Sequence, residues 1–408
     1  MKPLLSIIIA TKNRVPYCIS VIKSILSLDN DNIQLVIQDN SDSLELNDFI
    51  ETEIDDNRLT YRYTPPPFSS IQNFNAALEL VKGEYVCMIG DDDGINPEII
   101  LATEWAFQNN IDAITGNYLI ANYRWENTGA PDTLFTKMGG DALTILDFNG
   151  DSIQPNIEHN LLRLMQNGCT NHLNFNLPKL YHGVVRMKYM KIIKEKTGEF
   201  IKGLSPDVYS ALSLSCVINN LVVIDYPLTI PGACGVSSSI NEGQKKTHSK
   251  KIENAPHFRD RGDYKWSKEV PGIYCAQTIW SDSGFAALRD MNRTDLIKRF
   301  NKYQLYANIL YADKTNYSIL LEHIKNERYN NWLFIFIDFA KLGYAFLIGP
   351  IYIIFSKKLF RRLSIILKLK RFEVFTKIYG MKDVMNTLSS YLKKNAIRLE
   401  DALSRIKL

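Results

Sequence analysis

The chain has no Cys-x-x-Cys pair, no glycine-rich Gly-x-Gly-x-x-Gly turn after its first strand, no visible internal repeat and only six histidines in 408 residues. Each absence removes a class. The six cysteines, Cys18, Cys87, Cys169, Cys216, Cys234 and Cys275, are widely spaced and several lie inside apolar runs. That pattern fits reduced core thiols in a cytoplasmic compartment, not a disulfide framework. Without the glycine fingerprint, an NAD-dependent dehydrogenase is disfavoured. The turn that does follow the first strand, Thr11-Lys12-Asn13-Arg14, also lacks the glycines of a nucleotidyltransferase phosphate loop. The N-terminus runs from Met1-Lys2-Pro3 straight into Leu4 to Ala10, too short for the apolar region of a signal peptide, so the chain is read as unexported. A formal charge of +4 is mildly basic and concentrated late in the chain, and no nucleic-acid partner is expected.

What is present has globular composition, 46% hydrophobic and 23% charged. Leu4 to Ala10 is apolar at consecutive positions, as in a strand covered on both faces. From Pro16 to Leu28, Tyr17, Val21, Ile22, Ile25 and Leu28 share one helical face. Strands are expected at Gln34 to Gln38, Arg58 to Tyr63 and Tyr85 to Ile89, with a helix from Ile71 to Lys82 stopped by Gly83. This β-α-β-α-β order predicts a doubly wound, mostly parallel sheet, in which ligands gather at the carboxyl ends of strands. A helix at Glu98 to Asn109 and strands at Ala113 to Gly116, Gly183 to Arg186 and Leu221 to Ile224 continue it. Residues 124 to 180 show no readable period and are treated as an insertion on the acceptor or sugar side.

Three carboxylates in a row, Asp91, Asp92 and Asp93, follow the buried strand Tyr85 to Ile89 and lie between Gly90 and Gly94. Such a cluster repels itself and desolvates badly unless a cation binds. In an extended turn Asp91 and Asp93 would project to one side, suiting Mg²⁺ or Mn²⁺. A solvated acidic loop is the plain alternative; the position at a strand end argues for function. Thr11, Arg14 and Asp39 end neighbouring strands and are expected on the same edge. Asp207, after Ser205-Pro206, stands in the first turn of a helix, where an anion is stabilised. It is also a good helix start in its own right.

These segments resemble the family 2 glycosyltransferases of the GT-A fold. LLSIIIATKNR is similar to the family's first strand and turn, LVIQDNSDS to its second strand, and NFNAALELVKGEYVCMIGDDDGINPE to its helix, strand and D-x-D motif; GLSPDVYSALSL resembles its acidic helix start. The resemblance covers residues 1 to about 120 and, less evenly, 180 to 240. It implies that Asp39 contacts the uracil or ribose, that Asp91 and Asp92 face the nucleotide, that Asp93, with Asp91, binds Mg²⁺ or Mn²⁺, and that Asp207 is the base. Thr11, Arg14 and Asn73 would contact the nucleotide or diphosphate, and His248 in a late loop would be a metal or phosphate ligand. Gly90 stands where many members carry an acid, so the register within the triplet is left open. The implied activity is inverting transfer from a nucleotide-sugar, UDP-sugar first, to a saccharide or lipid-linked saccharide in bacterial surface polysaccharide synthesis. A sugar nucleotidyltransferase and a non-catalytic scaffold are the rivals.

The expected organisation is a GT-A domain over 1–240, a loop and helical linker over 241–330, and a hydrophobic, basic helical region over 331–408. Trp332 to Phe355 is apolar enough in length to span a bilayer, but Asp338, Lys341 and Gly349-Pro350 interrupt it. Lys357, Lys358, Arg361 and Arg362 follow. Peripheral attachment to the cytoplasmic face of the inner membrane is therefore expected. The last apolar residues, Val384, Leu388, Leu392, Leu399 and Leu403, predict an amphipathic helix seated on this region or on a second subunit of a homodimer.

Overall fold

The computed structural model describes residues 2–126, 140–236, 264–327, 332–354 and 372–406. The strands are β1 Leu5–Thr11, β2 Ile33–Asp39, β3 Leu59–Tyr63, β4 Tyr85–Ile89, β5 Gly94–Ile95, β6 Ala113–Thr115 and β7 Ala121–Arg124. They continue as β8 Ala142–Leu146, β9 Ser152–Ile153, β10 Gly183–Arg186, β11 Leu221–Ile224, β12 Thr229–Ile230, β13 Gly232–Ala233 and β14 Phe372–Thr376.

The central sheet runs β3-β2-β1-β4-β10-β6-β11-β9. β1, β2, β3 and β4 are parallel, while β10 is antiparallel to both β4 and β6. The doubly wound, mostly parallel α/β sheet expected from the sequence is thus present. β1 and β4 carry apolar residues at consecutive positions because alternate residues feed two cores: Leu5, Ile7 and Ile9 of β1 enter one cluster and Ile8 the other. Tyr85, Cys87 and Ile89 of β4 divide from Val86 and Met88 in the same way. Strand order reverses about β1, whose neighbours are β2 on one side and β4 on the other, and such a switch point opens a crevice at the carboxyl ends. Register puts Thr11 beside Asp39 and Ile9 beside Ile89, so the ends of β1, β2 and β4 share one edge.

Part of the segment that showed no period is regular. Helix Ile157–Gln166 buries Ile157, Leu161, Leu164 and Met165, spaced four, three and one apart on a single face. Asn156 caps its start by accepting from the His159 N–H. β8 pairs with β7 and with β14, which brings the C-terminal part of the chain back to the first core. There helix Met381–Lys394 lays Met381, Val384, Met385, Leu388 and Leu392 into the same cluster as Val21, Ile22 and Ile25 of helix Val15–Leu26. The Met381 N–H donates to Ser20 Oγ at 3.0 Å and Tyr123 Oη to the Ile378 carbonyl at 2.8 Å. The amphipathic face read from the sequence is real, and its seat is the N-terminal domain.

Among the described residues no helix is long and apolar enough to cross a membrane. Helix Trp332–Ile354 buries Asp338, Leu342 and Ala345 against Lys302–Ala312, with Tyr303 Oη donating to Asp338 Oδ1 at 2.5 Å. The basic run from Lys357 to Arg371 lies outside the described residues, as does His248.

Candidate active site

The acidic turn is buried at the edge of the switch point: Asp91, Asp92 and Asp93 are each 5% exposed or less. The turn is closed by the Asp93 N–H donating to the Gly90 carbonyl at 3.3 Å, so the alternation of an extended strand does not hold. Asp91 and Asp92 share Arg14, at 3.0 and 3.6 Å, and Asp93 faces elsewhere. This corrects the expectation that Asp91 and Asp93 project together.

Asp91 takes Thr11 Oγ1 on Oδ2 at 2.7 Å and Arg14 Nη1 on Oδ1. Burial pushes its carboxyl up to about 6, with Arg14 pulling the other way. Burial works against the charge of Arg14 too, but Asp91 and Asp92 outweigh it and hold the guanidinium firmly protonated. Asp92 accepts the Cys234 N–H on Oδ2 at 3.1 Å, and its carbonyl accepts Trp125 Nε1 at 2.8 Å. Asp93 is met by neutral donors: Gly90 N–H at 2.6 Å and Tyr181 Oη at 2.8 Å on Oδ2, and Gly232 N–H at 2.7 Å on Oδ1. Burial, reinforced by Asp92, pushes it up to about 7 against those hydrogen bonds. His182 Nε2 comes within 3.4 Å of Asp93, an ion-pair distance, yet burial and Lys179 push the imidazole down to about 3. The contact is therefore between a neutral ring and the carboxyl.

The remaining nucleotide-side candidates are ordered around this turn. Asp39 Oδ1 accepts both the N–H and the hydroxyl of Ser41, at 2.8 and 2.6 Å, and Oδ2 accepts Tyr61 Oη at 3.1 Å. Asn73 Nδ2 donates to the Thr11 carbonyl at 3.0 Å, leaving its buried Oδ1 without a partner. The free atom is an acceptor, which suits a ligand hydroxyl better than a phosphate oxygen.

Asp207 lies in the first turn of helix Pro206–Ser215 with its side chain 37% exposed. Ser205 Oγ donates to its Oδ1, and the Leu204 and Ser205 N–H groups are held by Ser283 Oγ at 3.0 and 2.8 Å. Tyr118 stacks on His182 with centroids 5.6 Å apart and planes 10° apart, and the charge of Asp207, after burial, helps raise the Tyr118 phenol. Lys179 Nζ lies 4.9 Å from the Tyr118 ring centre. Tyr118, Tyr181, Gly232 and Trp125 were not singled out from the sequence; the pair Tyr181-His182 ahead of β10 was the available signal.

Chemically, one edge offers carboxylates and a guanidinium, and Asp207 offers a half-exposed carboxylate beside it. Among the described residues no three His, Cys, Asp or Glu side chains converge as a metal cage. Mg²⁺ needs no such cage, since one or two carboxylates with substrate phosphates and water suffice. The buried Asp93, hydrogen-bonded by neutral groups alone, fits that donor chemistry.

The sheet and the acidic turn at its switch point define a doubly wound, mostly parallel α/β domain with a candidate ligand site at its carboxyl edge. Residues 6–160 match the model of glycosyl transferase family 2. Over 96 residues, 23% of the chain, the protein is 36% identical to WcaA of Escherichia coli (strain K12), whose name assigns it to colanic acid biosynthesis as a glycosyl transferase. The match spans only 34% of that protein's length. Among solved structures, S. aureus TarS 1-349 in complex with UDP-GlcNAc is 14% identical with a TM-score of 0.43, covering 79% of this chain and 81% of that one. The mannosyltransferase PcManGT from Pyrobaculum calidifontis, in complex with GDP-Man and Mn2+, is 13% identical with a TM-score of 0.35, over 86% and 88%.

Proposed function

We propose that the protein transfers a sugar from a nucleoside-diphosphate sugar, a UDP-sugar first, to a hydroxyl of a saccharide or lipid-linked saccharide, inverting the anomeric centre, in surface polysaccharide assembly. The observation that carries this reading is the buried acidic turn at the switch point, where Thr11 and Arg14 from the end of β1 meet Asp91. Thr11, Arg14, Asp39 and Asn73 line the nucleotide side, with Arg14 countering diphosphate charge and Asn73 Oδ1 accepting from a hydroxyl. Asp207 takes the proton of the acceptor hydroxyl. Mg²⁺ or Mn²⁺ would be held by Asp93, and when bound would supply charge neutralisation to the departing diphosphate. The domain reading, a transferase over 1–240 followed by a linker and an attaching region, is part of the proposal. So is peripheral contact with the inner membrane through the exposed Phe336, Tyr344 and Leu347 of helix Trp332–Ile354.

The test is product analysis with a panel of nucleotide sugars and Mn²⁺. Release of nucleoside diphosphate is expected; pyrophosphate would favour nucleotidyl transfer, and no product would favour a scaffold. Asp207→Asn should still bind UDP and lose about 10²- to 10⁴-fold in transfer rate, the usual worth of a general base. Full activity in that variant would place the base elsewhere.

A further inference from the structure

The loop that carries His172 is held in an unusual backbone conformation. Gly168, Cys169 and Asn171 have φ of 72°, 52° and 55°, a region that glycine adopts freely, asparagine tolerates and cysteine avoids. Its neighbours hold it there. Asn308 Nδ2 donates to Thr170 Oγ1 at 2.7 Å and to the Asn167 carbonyl at 3.0 Å, and Asn167 Nδ2 donates to the Thr170 carbonyl at 3.1 Å. Gly284 leaves room for the Cys169 thiol, which a Cβ at that position would meet at 2.3 Å. Strain of this kind persists where the surroundings over-determine it and often marks a working part.

What the loop delivers is an imidazole between Trp280 and Asp207. The His172 side chain is 3% exposed, its ring centre is 6.3 Å from that of Trp280, and Nε2 lies 3.6 Å from Asp207 Oδ2. That is just beyond hydrogen-bond range, as catalytic contacts often are before substrate binds. Nδ1 is buried and has no hydrogen-bond partner among the described residues. A phenyl ring would fill the same space with no orphaned nitrogen, so packing alone does not account for the histidine. Burial, with Lys179, lowers its basicity against the pull of Asp207, so the ring is neutral despite its ion-pair distance. In a neutral ring the proton belongs on Nε2, because the other tautomer would set a lone pair against the carboxylate.

We propose that His172 is a positioning residue for Asp207, an inference that rests on the reading of Asp207 as the base. Its Nε2–H clamps Oδ2 while the Ser205 hydroxyl holds Oδ1, and the carboxylate is fixed in one orientation. The acceptor proton passes to that carboxylate as the acceptor oxygen bonds to the anomeric carbon. The bond from that carbon to the diphosphate oxygen breaks, and its electron pair leaves with the nucleoside diphosphate. His172 exchanges no proton.

Two variants separate this role from packing. His172→Phe keeps the ring and loses the donor; His172→Gln presents an amide N–H where Nε2 stood. With nucleotide sugars as donors and p-nitrophenyl glycosides as acceptors, His172→Phe should lower kcat about 10- to 100-fold, the cost of a misplaced group, with acceptor KM and UDP affinity nearly unchanged. His172→Gln should recover most of that loss. Wild-type kcat in His172→Phe, or equal losses in both variants, would overturn the role. Ring-nitrogen NMR decides the clamp without turnover: an Nε2–H tautomer that changes in Asp207→Ala supports it, and an Nδ1–H tautomer or indifference to Asp207→Ala refutes it. If no donor turns over in the wild type, the transferase reading fails, and the NMR result still judges the contact.

Discussion

Gly232 is the residue at which the site tolerates least. A Cβ there would sit 1.6 Å from the Asp92 carbonyl oxygen, and the Gly232 N–H is the donor to Asp93 Oδ1. Gly232→Ala must therefore push β13 off the acidic turn, taking with it the Cys234 N–H bond to Asp92. We expect about 1–3 kcal/mol of destabilisation from overpacking, read by thermal melting, and a loss of at least about tenfold in UDP affinity. Unchanged melting and binding would mean that β13 is free to move away. Gly90 has a related explanation: a Cβ would press on Tyr181 Oη at 2.8 Å and on Asp93 Oδ2 at 2.9 Å, so a larger side chain has no room in this arrangement. At this scale the sequence revealed the residues that follow their own strands. Thr11, Arg14 and Asp91 do meet, because β1 and β4 are adjacent. Tyr181, Trp125 and Gly232 come from segments whose approach depends on how the far half of the sheet closes, and nothing local in them announces it.

Elements were legible where one pattern has one solution. Continuous apolar runs such as Leu5 to Ile9 can only be strands covered on both faces, and all four N-terminal strands formed as read. The direction of β10 was not legible, since the residues of a short buried strand look the same in either sense. Helix Ile157–Gln166 was missed because its four buried apolar positions are interleaved with polar residues such as Glu158, His159 and Asn160 and flanked by irregular chain. Helix Trp332–Ile354 was legible as apolar, but its two faces became distinct only in three dimensions: Asp338 turns in toward Tyr303, while Phe336, Tyr344 and Leu347 are 70%, 66% and 77% exposed. Burying each such side chain in a lipid interface contributes about 1.5–3 kcal/mol, and each nearby lysine or arginine about 1 kcal/mol more on anionic lipid. The protein should accordingly float with phosphatidylglycerol vesicles and less with phosphatidylcholine. Replacing Phe336, Tyr344 and Leu347 together by serine should abolish flotation without lowering the melting temperature. Flotation that survives the triple change would move the contact elsewhere.

For the whole molecule the acidic turn sets a pH dependence whose sign differs from that of ordinary surface carboxylates. Asp56, held down chiefly by its hydrogen bond from Arg58, and Asp295, lowered to about 2 by Arg293, contribute stability that is lost only as the solution becomes strongly acidic. Asp91 and Asp93 do the reverse. Burial raises them from 3.8 to about 6 and about 7, so between those limits the folded protein binds more protons than the unfolded chain. Stability then falls as pH rises through that window. The buried imidazoles of His182 and His172, pushed down from 6.5, act in the opposite sense below that pH, so the signature of the turn in protein stripped with EDTA is the difference between wild type and Asp93→Asn in melting temperature at pH 5 and pH 7.5. A divalent cation competes with the same protons and binds the ionised carboxylates, so stabilisation by Mn²⁺ should be small at pH 5 and grow toward pH 7.5. Asp93→Asn, which keeps the size of the side chain but not its charge, should flatten both the pH dependence and the Mn²⁺ response. A Mn²⁺ shift of equal size at the two pH values, or one that persists in Asp93→Asn, would assign the cation to another part of the protein and leave the buried turn with a purely structural role.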